Sequence, residues 1–205
     1  MNIDEYMMKH FPGLSLEPPL FYNWNIGIRF ELGDPHEEDE KKYMERVLKR
    51  GLTLLKALHQ NHDELFIVCY YDKLKREPYK KVNAFNRSMR NKHVKYQMHH
   101  QVFPFREPEE DEDDEYETHR LLLKCEVQDV NLPKMIRRFF YRNDMPRLYF
   151  VNIKRGTIFS IYDDRGCDLV STKKENIEEI YYTFNEWILD WDRSRIDGLF
   201  QNNLS

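Results

Sequence analysis

Asp163-Asp164-Arg165-Gly166, with Asp168 two residues on, is the run in this chain that most resembles a reaction centre. Carboxylates are hard oxygen donors, and Asp163, Asp164 and Asp168 together would suit a divalent cation. Neighbouring residues on an extended chain face opposite ways, so Asp163 and Asp164 could share one ion only from a loop. The same four residues also satisfy a tight turn, with Asp early and Gly late. Strand-like runs flank them on both sides, Thr157–Tyr162 and Cys167–Val170. Arg165 would then neutralise a neighbouring carboxylate. The expectation is a hairpin corner; the alternative is a metal-dependent enzyme or nucleotide-binding protein built on the three aspartates.

Other chemistry-bearing residues fall into weaker patterns. His93, His99 and His100 cluster, and His119 lies on the run expected to face them. On a strand His99 and His100 point to opposite faces, so they do not make one zinc site. His59 and His62 end a helical pattern, where a positively charged imidazole would suit the dipole. Cys69 and Cys125 sit in apolar runs and Cys167 opens a strand, so reduced thiols are expected and no metal is. No serine stands in G-x-S-x-G, and no glycine loop has phosphate-binding spacing. No catalytic residue and no cofactor is assigned.

Charge is more suggestive than chemistry. From Lys73 to Lys95 there are nine Lys/Arg against one acid, Glu77, with Tyr79, Phe85 and Tyr96 interleaved. Cations alternating with aromatic rings suit single-stranded nucleic acid. From Glu107 to Glu117 nine of eleven residues are acidic. An acidic loop over 105–118 could imitate a phosphate backbone and speed association with a basic partner. Glu109, Glu110, Asp111, Glu112, Asp113, Asp114 and Glu115 are its candidate contact residues. An overall pI near 6 argues against general nucleic-acid binding.

These residues must be held by elements that periodicity predicts. Ile3–Phe11 reads as a helix stopped by Pro12-Gly13. In the run from Trp24 to Glu31, Trp24, Ile26, Ile28 and Phe30 alternate with Asn25, Gly27, Arg29 and Glu31, a strand with one face buried. Glu37–Gln60 is the longest helical pattern, with Met44, Val47, Leu48, Gly51, Leu55 and Leu58 on one stripe. Strands are expected over Glu64–Tyr71, His93–Phe103 and His119–Val127, with a short helix near Lys81–Arg90. Leu132–Asn143 reads as a helix with Pro133 in its first turn, and a hairpin turns at Lys154-Arg155-Gly156. After the Asp-Asp corner, Thr172-Lys-Lys-Glu175 fits a capping box. Ile177, Ile180, Tyr181, Phe184, Trp187, Ile188 and Trp191 then make an aromatic helical stripe, and a short helix from Arg193 to Phe200 closes the chain.

At 205 residues, 40% of them hydrophobic and 14% aromatic, the chain can bury a real core despite its 33% charged residues. The fold class expected is α+β: a mostly antiparallel sheet with packed helices and an aromatic C-terminal helix. One domain over 1–205 is expected, with room for an N-terminal subdomain 1–128 and a C-terminal subdomain 129–205. The first residues, MNIDEYMMKHFPG, lack a basic segment followed by an apolar one. No apolar run nears the ~18–20 residues of a membrane span. A cytoplasmic protein without membrane contact is expected.

Two motifs carry a resemblance. "FYNWNIGIRFELG" (Phe21–Gly33) and "IFSIYDDRGCDLV…FNEWILDWDRSRID" (Ile158–Asp197) resemble an uncharacterised family of cytosolic proteins of Gram-positive bacteria, a domain of unknown function. The likeness is strong at both ends and loose between Tyr71 and Val130. It implies no activity, cofactor or catalytic residue. At the level of fold, the closing hairpin and aromatic helix also resemble bacterial toxin-immunity proteins, including those with the yeast cell-wall regulator-like fold. The expectation is a non-catalytic binding protein, an immunity protein or antitoxin whose protein partner is a basic toxin domain.

Overall fold

The computed structural model describes residues 1–78, 87–106, 114–141 and 147–201. Seven strands form a single antiparallel sheet in the order β1-β7-β6-β5-β2-β4-β3. They are β1 (Gly27–Glu31), β2 (Glu64–Leu74), β3 (His99–Pro104), β4 (Tyr116–Glu126), β5 (Arg147–Asn152), β6 (Thr157–Ile161) and β7 (Gly166–Ser171). The described helices are α1 (Ile3–His10), α2 (Glu40–Leu58), α3 (Leu132–Tyr141), α4 (Glu178–Thr183) and α5 (Arg193–Gln201). This is the α+β class.

Most elements lie where periodicity puts them. Asp39 caps α2 by accepting from the Lys41 and Lys42 N–H groups, and Val47, Gly51, Leu54, Leu55 and Leu58 are its buried stripe. Asn2 and Glu5 form a reciprocal capping box at the start of α1. The hairpins β5–β6 and β6–β7 turn at the predicted residues.

Both sheet faces are covered. On one, Ile28, Phe30, Ile67, Leu121, Phe150, Phe159 and Leu169 meet the apolar sides of α2–α5. On the other, Phe66, Val68, Tyr149, Val151, Ile158 and Val170 pack under Ile3, Tyr6, Phe11, Leu14, Leu16 and Leu20. Strands buried on both sides need apolar residues at consecutive positions, which is why "LFIVC" in β2 is continuous rather than alternating. β2 lies between β5 and β4, so strands from either side of residue 128 interleave in the one sheet.

Four local expectations give way. The strand predicted from His93 begins only at His99; Val94–Gln97 is a 3-10 turn that tucks Val94 into the core. Thr172 and Glu175 form no capping box; Ser171 Oγ holds the turn instead, donating to the Lys173 carbonyl. The aromatic run after Ile177 comes in pieces: α4, a 3-10 turn at Asn185–Trp187, another at Asp190–Asp192, then α5. Its break has a cause. Ile188 bridges to Phe30, and the Leu189 N–H donates to the Arg29 carbonyl at 3.0 Å, so the chain extends to cover the outer edge of β1. Trp191, placed inward by the stripe, is 87% exposed as a result. Finally, Arg29 is expected on an open face, yet it is buried under the N-terminal segment.

Gly166 is required at the corner for close approach rather than for a left-handed turn. A Cβ there would meet the Phe30 carbonyl oxygen at 2.6 Å and run into the Tyr162 hydroxyl. Gly166→Ala should therefore cost about 1–3 kcal/mol in urea unfolding. A loss below a few tenths would show that β1 and the corner can separate freely.

Candidate functional site

The two resembling motifs meet in space because β1 pairs with β7, Arg29 opposite Asp168. Arg29 Nε and Nη2 donate to the two Asp168 oxygens at 2.7 and 2.9 Å, a bidentate buried pair. The Phe21 N–H donates to Asp168 as well, at 3.2 Å. Rings of Phe21, Tyr22 and Tyr162 surround the guanidinium, 4.6 to 5.4 Å from Cζ. The Tyr22 hydroxyl donates to Asp192 at 2.9 Å, and Asp192 lies 4.0 Å from Arg29 Nη1.

Above this pair opens a cleft of about 780 Å³ walled by Pro18, Pro19, Tyr43, Tyr162, Asp163 and Arg165. The Asp-Asp corner is its rim. Asp163 accepts from the Arg165 N–H at 2.8 Å and from Arg165 Nε at 2.8 Å, closing a local turn. The Tyr43 hydroxyl donates to the Asp164 carbonyl. Asp163 is thus bound to Arg165 and Asp168 to Arg29. Among the described residues no group of three or more His, Cys, Asp or Glu is arranged to hold a metal.

The opposite end of the sheet gathers the histidines. His100 Nε2 lies 2.7 Å from His119 Nδ1, and their rings stack. His119 Nε2 is 2.9 Å from Glu117, and the Tyr71 hydroxyl is 3.2 Å from His119 Nδ1. A carboxylate only accepts, so His119 donates through Nε2 to Glu117. Lys73, 2.6 Å away, and then His119 hold Glu117 below the ordinary carboxylate range. His99 is on the other strand face, as expected. His93 stands before the 3-10 turn, and among the described residues nothing joins it to this group.

The charged runs answer each other. Lys73 pairs with Glu117, Lys75 with Asp114 at 2.7 Å, and Arg76 with Glu115 at 3.8 Å. The near ends of the basic and acidic stretches are thus partners across β2 and β4. Glu109–Asp113, with Tyr79 and Phe85, lie outside the described residues, as does most of the short helix expected near Lys81–Arg90. Asp114 and Glu115 are described, and both are engaged within the chain.

The two sheet edges differ. Ile188 and Leu189 cover β1. Among the described residues no strand pairs with the outer side of β3, whose six residues are all exposed. Val102 is 51% exposed and Phe103 37%, and six of the seven residues that follow Arg106 are acidic. All three cysteines are buried free thiols. No described helix is long and apolar enough to cross a membrane.

Arg29–Asp168, Tyr71, Glu117 and the open edge were beyond the reach of sequence periodicity. Arg29 and Asp168 are 139 positions apart, and only the β1–β7 register makes them partners.

A model described as a domain of unknown function, DUF3885, matches residues 3–192. The chain is similar to the uncharacterized protein YnaE of Bacillus subtilis (strain 168), 26% identical over 212 residues, an alignment covering 93% of this chain and 99% of that protein. No solved structure matches.

Proposed function

This chain belongs to the DUF3885 family, and on that footing we propose that it is a non-catalytic cytoplasmic binding protein that captures a basic partner protein along the edge of β3. The observation that carries the reading is the unequal treatment of the sheet's two edges. An edge strand displays unpaired N–H and C=O groups, and native proteins cover or blunt such edges unless something docks there. β1 is covered by Ile188–Leu189. Among the described residues β3 is blunted by Pro104 alone, at its end, where the ring removes one donor. A partner segment added as an eighth strand would gain main-chain hydrogen bonds and apolar contact with Val102 and Phe103.

Charge selects the partner. In sequence, Glu107 and the five acids of 109–113 come soon after β3, a run of negative charge that favours lysines or arginines on an incoming segment. Asp114 and Glu115 contribute less, since Lys75 and Arg76 already pair with them. Such a partner relation is that of an immunity protein or antitoxin to a basic toxin domain.

The test is capture by the tagged chain from its native cells, beside a Val102→Lys/Phe103→Lys chain. The expected result is one stoichiometric partner, weakened at about 0.5 M salt and lost with the lysine pair, which repels a basic segment at the edge. A partner retained equally by both chains would overturn the edge; no stoichiometric protein in either salt would overturn the binding reading.

A further inference from the structure

Arg106 is anomalous in a different way. All three of its guanidinium nitrogens are closed to water, and none has a hydrogen-bond partner. A guanidinium carries five donors, and a buried charged group left unbonded is among the costliest states a fold can keep. Its compensation is slight. Cζ sits 4.4 Å over the Tyr70 ring, and Glu17, the nearest carboxylate among the described residues, is 4.0 Å away on a half-exposed side chain.

A second unsatisfied donor lies nearby, behind the Tyr70 ring and outside the lining of the two cavities that Arg106 borders. The Tyr149 hydroxyl is buried with no hydrogen-bond partner, and its ring meets Tyr70 edge to face at 6.1 Å. Arg106 and Arg147 both act electrostatically on that phenol. Burial nevertheless pushes its pKa well up, so it remains an O–H donor at any working pH. Two cavities share Arg106 and Glu17 as walls. The larger, about 320 Å³, continues past Tyr70, Phe103 and Arg120; the smaller, about 240 Å³, is completed by Pro18 and Arg147. Either holds more than a water. Arg120 is already satisfied in the larger one, since Asp4 accepts two of its bonds and Gln101 two more.

We propose that Arg106 and Tyr149, beside Arg147, form a binding site for a small oxyanion, a carboxylate or a phosphate group. The site lies beneath the N-terminal segment, and Glu17 is its displaceable wall. Residues 14–19 of that segment carry no regular structure, and the Glu17 side chain is already half-exposed, so it can turn to solvent. A fork of N–H donors with one hydroxyl is the donor set that oxyanions take.

Thermal unfolding of the whole chain is followed in sodium phosphate, sodium acetate and, as control, sodium chloride at equal ionic strength. The expected result is a saturable rise in Tm with phosphate or acetate beyond chloride. A response to phosphate alone assigns a phosphate group; a response to acetate assigns a carboxylate. Arg106→Gln should weaken the apparent affinity about tenfold or more, and Glu17→Gln, by removing the competing carboxylate, should tighten it. Tyr149→Phe removes one donor without changing volume, and its expected several-fold weakening serves if Arg106→Gln does not fold. Two results would overturn the site: no excess over chloride in either the parent or Glu17→Gln, or an anion response that Arg106→Gln and Tyr149→Phe leave unchanged.

Discussion

An Arg29→Met chain should lose about 3–5 kcal/mol of stability in urea unfolding, because the substitution strands the Asp168 carboxylate in a buried site. Asp168 would keep only the Phe21 N–H as a bond donor. The partner experiment gives the test its edge. A buried ion pair replaced whole by apolar residues is often nearly neutral, whereas a half-broken one is not. Arg29→Met/Asp168→Leu should therefore recover a large part of the loss, though the Phe21 N–H is then left without its acceptor. A single-variant loss under about 1 kcal/mol would mean that water reaches Asp168 and that the pair is an exposed one.

The second large effect concerns acid. His59 follows the last residue of α2 and is buried between Phe150 and Asn152. Burial drives its pKa down to about 3, with Asp63 pulling the other way and Arg155 adding to the fall. The sign follows directly. An unfolded His takes up a proton below about pH 6.5, and the folded one does not until about pH 3, so the unfolded state binds more protons across that window. The neutral side chain's contribution is full above pH 6.5 and declines as pH falls, by about 1.4 kcal/mol per unit. Between pH 7 and pH 5 the parent should lose about 2 kcal/mol more than His59→Gln, which cannot titrate and retains a hydrogen-bond acceptor. Parallel stability curves for the two chains would remove His59 from the acid response.

How much of this was legible depended on sequence distance. The Asp163–Gly166 corner could be read because its determinants are local: strand runs on both sides, an aspartate able to accept from the N–H two residues on, and an arginine beside it. α2 was legible from its apolar stripe. His59 was placed correctly at the end of that helix, but its charge was not: a helix end suggests imidazolium, and only the packing of β5 against α2 makes it neutral. Arg29 illustrates the same limit. Alternation distinguishes one sheet face from the other, yet it does not reveal that the second face is also covered, here by Leu20–Asn23 and α1. The candidate sites were least legible, since the oxyanion site and the edge both depend on what the fold leaves unpaired.

The β1–β7 ladder also constrains how the chain is made. Gly27 pairs with Val170 and Glu31 with Gly166, so a strand synthesised near the start waits for one synthesised near the end. At ribosomal speeds of about 5–20 residues per second that wait is on the order of ten seconds. During it β1 has no neighbour, Arg29 has no Asp168, and the N-terminal segment has no complete sheet face to lie on. β5, β6 and β7, joined by short turns, can zip as they emerge, whereas β1 must then find β7 across the longest loop closure in the sheet. The nascent chain therefore carries its arginine-bearing strand unpaired until β7, beyond the corner at Asp163, has been translated.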